Sequence, residues 1–265
     1  MKKTPLYEKH VAAGGEIIDF GGWALPVKYT SIIEEHQTVR TNAGLFDVSH
    51  MGEVMVTGKD ACAFVDRMVT NDITKTAIGR ITYSPMCYND GGVVDDLLVY
   101  CIGPETYLLV VNASNTDKDY QWLVDNVTGD VQLENISDQV AQVALQGPKS
   151  KEILSKLVDI AVLDQMKYYG FTYDVTINGM KVLISRTGYT GESGYEIYAG
   201  AQDGPALWDA LMAAGAADGL VPVGLGARDT LRFEAALPLY GQEISADITP
   251  LEAGLGRFVK LDAGD

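Results

Sequence analysis

The feature that most constrains this chain is an order of elements that occurs twice. In the first occurrence GEVMVTG (52–58) reads as a strand, and KDACAFVDRMV (59–69) spaces its apolar residues as an amphipathic helix. ITYSPMCY (81–88) is a second strand, and the NDGG that follows carries strong hairpin-turn chemistry. The turn leads into VVDDLLVY and then TYLLVVN (106–112), after which Asn115 or Thr116 caps a helix through DKDYQWLVDNV. The order is strand, helix, three strands, helix.

Downstream the order returns. VAQVALQ (140–146) is a strand, GPKSKEILSKLV starts a helix with Pro in its first turn, and FTYDVTI and KVLISRT bracket an NGM turn. GYEIYAG (194–200) then leads into the helical PALWDALMAAG. Tyr107 and Tyr195 hold matching places, and Trp122 and Trp208 do so approximately. The economical reading is an α+β chain of two related halves, residues 1–135 and 136–265, with a cleft where they meet.

Within this frame GGVVDDLLVY (91–100) is the anomaly. Side chains alternate across a strand, so Asp95 shares a face with Val93, Leu97 and Val99, and Asp96 with Val94, Leu98 and Tyr100. One face meeting solvent would explain one acid. An unpaired buried carboxylate costs several kcal/mol, so at least one of the two needs a specific partner, either structural or a ligand. The second half repeats the puzzle, because aligning Tyr195 with Tyr107 puts Glu196 where the first half has Leu108. Just before it, SRTGYTGESG (185–194) has glycines at every third position, a spacing that suits a structural loop as well as a binding loop and matches no dinucleotide or P-loop pattern. Arg228 sits near the start of a helix in PVGLGARDTLRFEAALPLYGQE (222–243), where the dipole disfavours a cation, which points to a carboxylate partner or an anionic ligand.

Composition limits the function classes. With 265 residues, 47% of them hydrophobic, the chain can build a real core, and 36 acids against 20 Lys and Arg argue against nonspecific attraction to nucleic acid or anionic membrane. Cys62, Cys87 and Cys101 are widely spaced, without a CxxC pair or a histidine cluster, so they read as buried thiols of a reducing compartment and no metal site is expected. The N-terminal MKKTPLYEKH has no apolar stretch behind its lysines, and no run approaches the ~18 apolar residues of a membrane span. A cytoplasmic protein is expected.

Six separated stretches, FGGWALPVKY (20–29), FDVSHMGE (46–53), TND (70–72), GGVVDDLLVY, SRTGYTGESGYE (185–196) and GLGARDTLRFEAALPLYGQE, together resemble the aminomethyltransferase family of the glycine cleavage system, the T-proteins. The resemblance runs over essentially the whole chain. It implies two related α+β domains around a central folate cleft, and a C-terminal β-barrel-like domain that this sequence, ending at VKLDAGD, does not contain. It further implies transfer of the one-carbon unit held as an aminomethyl group on the dihydrolipoyl arm of the H-protein to tetrahydrofolate. Ammonia is released and 5,10-methylenetetrahydrofolate is formed.

Residue by residue, the resemblance makes Asp96 the catalytic acid at the folate nitrogens and leaves Asp95 structural. Glu196 takes the pterin's donor-rich edge, and Met51, Tyr83, Tyr100, Asn112 and Tyr189 line the folate pocket. Arg228 is an active-site residue near Asp96, while His50 is structural. Three other readings stay open: a folate-dependent demethylase of the same superfamily, a noncatalytic folate-binding protein, and an inactive copy. Superfamily members tied to iron-sulfur assembly carry a Cys before YGQE, where this chain has Ala235 to Leu239 without one.

Overall fold

The computed structural model describes residues 1–261, apart from the side chain of Asp174. The last four residues of the VKLDAGD terminus lie outside that description. In chain order the elements are α1 (Tyr7–Ala12), β1 (Glu16–Phe20), β2 (Trp23–Lys28), α2 (Ile32–Thr41), β3 (Gly44–Asp47), β4 (Gly52–Thr57), α3 (Ala61–Met68), β5 (Ile81–Cys87), β6 (Val93–Gly103) and β7 (Thr106–Val111). They continue with α4 (Thr116–Asp125), β8 (Gln132–Asn135), β9 (Val140–Gln146), α5 (Ser150–Leu154), α6 (Ile160–Gln165) and β10 (Phe171–Ile177). The last are β11 (Met180–Ser185), β12 (Gly194–Gly200), α7 (Gly204–Gly215), β13 (Val221–Pro222) and α8 (Leu225–Glu234).

The duplication is visible in the sheets. One is ordered β5-β6-β7-β4-β8 and the other β10-β11-β12-β9-β3-β13, so four strands of each follow the same path. The β10–β11 hairpin closes through Asn178 and Gly179, both at positive φ, which is the two-residue turn that matches strand twist. The β5–β6 hairpin turns at Gly91 (φ 92°), while Asp90 Oδ1 accepts the amide of Gly92 at 3.1 Å. Tyr107 and Tyr195 are both buried, the first among Val54, Val56 and Leu109, the second among Leu145, Ile153 and Ile197. Strand alternation then sends Leu108 and Glu196 to the opposite face in each sheet.

The two compact units are not contiguous in sequence. One comprises residues 1–50 and 138–237, the other residues 51–137 and the segment from Pro238 onward. The expected division at 135/136 falls close to the 137/138 boundary, but the N-terminal segment groups with the second half and residues after 237 with the first. The reasons are local. β3 pairs with β9 from Gly44↔Gln146 to Asp47↔Val143, placing the N-terminal segment in the second sheet. His10 then bridges the Tyr29 hydroxyl (2.7 Å) and Asp47 Oδ2 (2.8 Å), and Thr4 donates to the same carboxylate at 2.6 Å. Burial opposes ionisation of Asp47, yet the bonds from His10, Thr4 and Ser49 outweigh it and hold the carboxyl below its ordinary range. In the other unit, Val93 donates its amide to the Ser245 carbonyl at 2.9 Å, and Val93 packs against Ile244 and Leu255.

Candidate active site

On β6 the two adjacent acids go to opposite faces and meet different surroundings. Asp95 is fully buried, on the face of Leu97, Val99 and Cys101, which belongs to the core shared with α3 and α4. Its carboxylate accepts the Asn112 amide at 2.9 Å, the Asn112 side chain at 2.8 Å and the Asn115 side chain at 2.7 Å. Asp96 is half-buried on the other face, so neither acid is a plain surface charge. Tyr83 donates its hydroxyl to Asp96 Oδ2 at 2.9 Å, and Asn112 Nδ2 donates to Oδ1 at 2.8 Å. The Asn112 amide therefore reaches both carboxylates and fixes their mutual orientation.

Asp96 has unusual proton chemistry. Burial, then the charge of Asp95, push the Asp96 carboxyl up to about 7, against the pull of Tyr83 and Asn112 toward the ionised form. Such a group exchanges protons near neutrality. Strand register brings Tyr83, Leu98, Val110 and Glu53 into one row across four strands of the same face, with Tyr100 and Leu108 paired alongside. Tyr100 and Glu53 are buried there, and Met51, just before β4, is half-buried. The ring of Tyr83 stands edge-on to Phe258 at 4.7 Å.

The other unit holds the second cluster. Glu196, also turned away from its helices, is buried; Thr187 donates to its Oε2 and Gln142 Nε2 donates to its Oε1 at 3.2 Å. Burial raises the Glu196 carboxyl above its ordinary range, while Thr187, the nearby Arg228 charge and Gln142 pull it back. Gln142 Nε2 also reaches the Tyr198 hydroxyl at 2.9 Å, and its Oε1 is buried with no hydrogen-bond partner. Arg228, in the first turn of α8, stacks over Tyr189 with 4.7 Å from guanidinium carbon to ring centroid. Burial lowers its proton affinity, and the charges of Tyr189 and Glu196 oppose that only in part, so its carboxylate neighbour within this unit is Glu196. His50 is buried edge-on to Phe20, and burial, then Arg228, push its imidazole down to about 4. At neutral pH the ring is neutral, with one N–H and no imidazolium proton to transfer.

Of the residues expected from sequence, Asp96, Tyr83 and Asn112 are bonded together, with Tyr100 on their face. Glu196, Tyr189 and Arg228 form a separate cluster in the other unit. Thr187, Gln142 and Asn115 were not anticipated as site residues. Of Asn115 and Thr116, the expected caps, Asn115 stands at the N-cap position without a side-chain cap bond, and its Nδ2 donates to Asp95. Pro148 likewise precedes the helix that begins at Ser150. The glycine spacing of 185–194 has a steric cause: a Cβ at Gly188 or Gly194 would lie 2.0 or 2.3 Å from the Gln146 side chain. Gln146 is held there by Thr187 and Thr190.

Cys101 is buried, while Cys62 and Cys87 are half-buried, and all three are free thiols. Among the described residues no cluster of three or more His, Cys, Asp or Glu is placed to hold a metal ion, and no helix is long and apolar enough to cross a membrane.

The family model of the GCVT N-terminal domain matches residues 6–263 of this repeated α+β chain. The aminomethyltransferase of Geobacillus sp. (strain WCH70) is 57% identical over 262 residues, 99% of this chain and 72% of that relative. That of Anoxybacillus flavithermus is 56% identical over 262 residues, again 99% of this chain and 72% of the relative. Among solved structures, the glycine cleavage system aminomethyltransferase T from Bartonella henselae superimposes with a TM-score of 0.90 at 33% identity, covering 98% of this chain and 70% of that one. A heterotetrameric sarcosine oxidase from Corynebacterium sp. U-96 shares the fold alone, at 15% identity and a TM-score of 0.55. The chain belongs to the aminomethyltransferase family, that of the glycine cleavage system T-protein.

Proposed function

We propose that this chain transfers the one-carbon unit of an aminomethyl group, carried on the dihydrolipoyl arm of an H-protein, to tetrahydrofolate. The observation that carries the reading is Asp96, a half-buried carboxyl held by Tyr83 and Asn112 and pushed up to about 7. Tetrahydrofolate supplies two nucleophilic nitrogens, one in the reduced pterin ring and one on the adjoining arm, each of which exchanges its hydrogen for a bond to the transferred carbon. The carbon's bonds to sulfur and to the amino nitrogen break, releasing the thiol and ammonia, so two protons must move from acceptor to leaving groups. Asp96 in its ionised form accepts such a proton and returns it, and its charge favours the cationic character that develops at the carbon.

The second cluster suits the pterin. Its amino and ring N–H edge is rich in donors, and Glu196 and the unpartnered Gln142 Oε1 offer buried acceptors side by side. Tyr189, held flat by Arg228, offers an aromatic wall.

The test is anaerobic calorimetric titration with tetrahydrofolate, together with an ammonia-release assay on aminomethylated H-protein. Wild type is expected to bind, Glu196→Gln to bind about 10-fold more weakly through loss of a charge-assisted bond, and Asp96→Asn to bind while turning over about 100-fold more slowly. Binding without turnover in the wild type overturns the catalytic reading in favour of a noncatalytic folate binder. No binding by the folded chain overturns both.

A further inference from the structure

Behind Asp95 lies a third acid that the proposed chemistry does not use. Asp119 on α4 is fully buried, and neither of its oxygens receives a hydrogen bond from an N–H or hydroxyl. The nearest cation is Lys118 Nζ, 3.6 Å away, beyond hydrogen-bonding distance. Lys118 is already committed: it donates to the Val94 carbonyl and lies 4.2 Å over the ring of Tyr240. Asn115, one turn before Asp119 at the start of α4, donates to Asp95 at 2.7 Å, so Asp119 stands on the side of the helix that meets Asp95, and the Asp95 charge acts on it.

Two ionised carboxyls in contact inside a core are excluded by cost, so one of them holds a proton. The donor sets decide which. Asp95 collects three N–H donors, all of which favour its anion, and Asp119 collects none. Elsewhere the core around α4 holds Val54 and Val56 of β4, whose Gly52 lies against Thr116, and the neutral Cys62, Cys101, Tyr88, Tyr107 and Tyr120 side chains. The groups that carry or exchange charge around the pair are Asp95 and Asp96 from β6, Tyr83 from β5, and Asp119 with Lys118 from α4, Lys118 lying over Tyr240.

We propose that Asp119 is a positioning residue in the form of a neutral carboxylic acid, donating its O–H to Asp95 and so keeping a fixed negative charge beside Asp96. Burial and the Asp95 charge push its carboxyl up to about 10, in keeping with that arrangement. The cluster is then a relay of three acids with distinct duties: Asp119 neutral, Asp95 anionic, Asp96 exchanging its proton near neutrality. The inference rests on Asp96 being the proton acceptor, and it adds the residue that sets its electrostatic surroundings.

The experiment is a carboxyl 13C NMR titration of the chain labelled in aspartate, between about pH 5 and 9, with Asp96→Asn and Asp119→Asn fixing the assignments. The Asp119 carbon is expected to keep the shift of a protonated acid throughout, and its titration alongside Asp96 or below it overturns the proposal. Asp119→Asn replaces a neutral donor by a neutral donor, so the Asp96 midpoint should stay where it is. A fall in that midpoint would mean that a negative charge had been removed, and the proposal fails.

Asp119→Leu has no donor, so Asp95 competes for the proton and the Asp96 midpoint should drop by about one pH unit, the worth of one charge-assisted bond. No drop means that Asp119 does not act through Asp95. Should the Leu variant not fold, the Asp119 carbon and the Asn variant still decide. None of these measurements needs folate or H-protein, so loss of the functional reading and loss of this one are separable.

Discussion

Replacing Asp96 by Asn is expected to make the protein more stable at alkaline pH while disabling it. A rise of the carboxyl from its ordinary 3.8 to about 7 means that ionising Asp96 in the folded state costs about 4 kcal/mol more than in the unfolded chain. The Asn amide has one acceptor oxygen where Tyr83 and Asn112 now donate to two, so one hydrogen bond is lost, at about 1 kcal/mol. The net gain is about 2–3 kcal/mol above pH 7. Its pH dependence has a fixed sign. Between about 4 and 7 the folded state holds a proton that the unfolded state has released, so wild-type stability falls as pH rises, then levels off once both are ionised. The advantage of the variant therefore grows from pH 4 to 7, and below pH 4 only the lost bond remains. Equilibrium urea denaturation of both chains at pH 4, 6 and 8 measures it directly. If the Asn variant is as much less stable at pH 8 as at pH 4, Asp96 does not carry a raised proton affinity, and the argument that makes it the acid-base group collapses.

Three further outcomes are expected. Asn112→Leu removes the donor shared by Asp95 and Asp96, so the Asp96 midpoint should move to higher pH, with a loss of about 2–3 kcal/mol because buried charge is left less compensated; midpoint and stability come from the same titration and denaturation series. Turnover in the ammonia-release assay should rise through a single ionisation near pH 7 as Asp96 loses its proton, and a rate flat from pH 6 to 8 would assign the proton transfer elsewhere. Gly92→Ala places a Cβ 1.8 Å from the Ala246 carbonyl oxygen, a backbone atom that no side-chain rotation relieves, so about 1–3 kcal/mol should be lost in denaturation.

The repeated strand order was readable because each sheet has one face against helices, and such a face imposes strict alternation on its strands. Turn chemistry did the rest: Asn178-Gly179 and the Gly91 turn need positive φ, which few residues accept. The acids of the site were readable for the opposite reason, as violations of that alternation. What stayed hidden depends on contacts distant in sequence. Nothing local in His10 or Tyr29 announces Asp47, and β3 carries no mark of its pairing with β9. Asn115 or Thr116 was expected to cap the helix through a side-chain oxygen, whereas the Asn115 nitrogen that donates to Asp95 finds a partner 20 residues away. Asp119 falls in the first turn of α4, where acids are favoured, so nothing in the sequence sets it apart. Only its burial against Asp95 separates it from that role.

The duplicated sheet explains how the chain tolerates so many buried polar groups. In each copy the face against the helices is filled with apolar side chains, including Tyr107 in one and Tyr195 in the other, and supplies the burial that holds the unit together. The opposite face is released from that duty. There the second sheet gathers Gln142, Gln146, Ser185, Thr187, Glu196 and Tyr198, all buried, and the first gathers Tyr83, Asp96 and Glu53. Neither set is the cheapest way to cover a sheet, since apolar residues of equal volume would avoid the desolvation of each carboxyl. Part of that cost falls on Asp96 and Glu196, two acids whose carboxyls are held above their ordinary range on these faces, which is where the proposed binding and proton transfer would draw on it. Asp95 lies on the other side of the same strand, inside the apolar core, and is the one acid there with a complete set of donors. Its charge, acting across the strand, is part of what raises the Asp96 carboxyl.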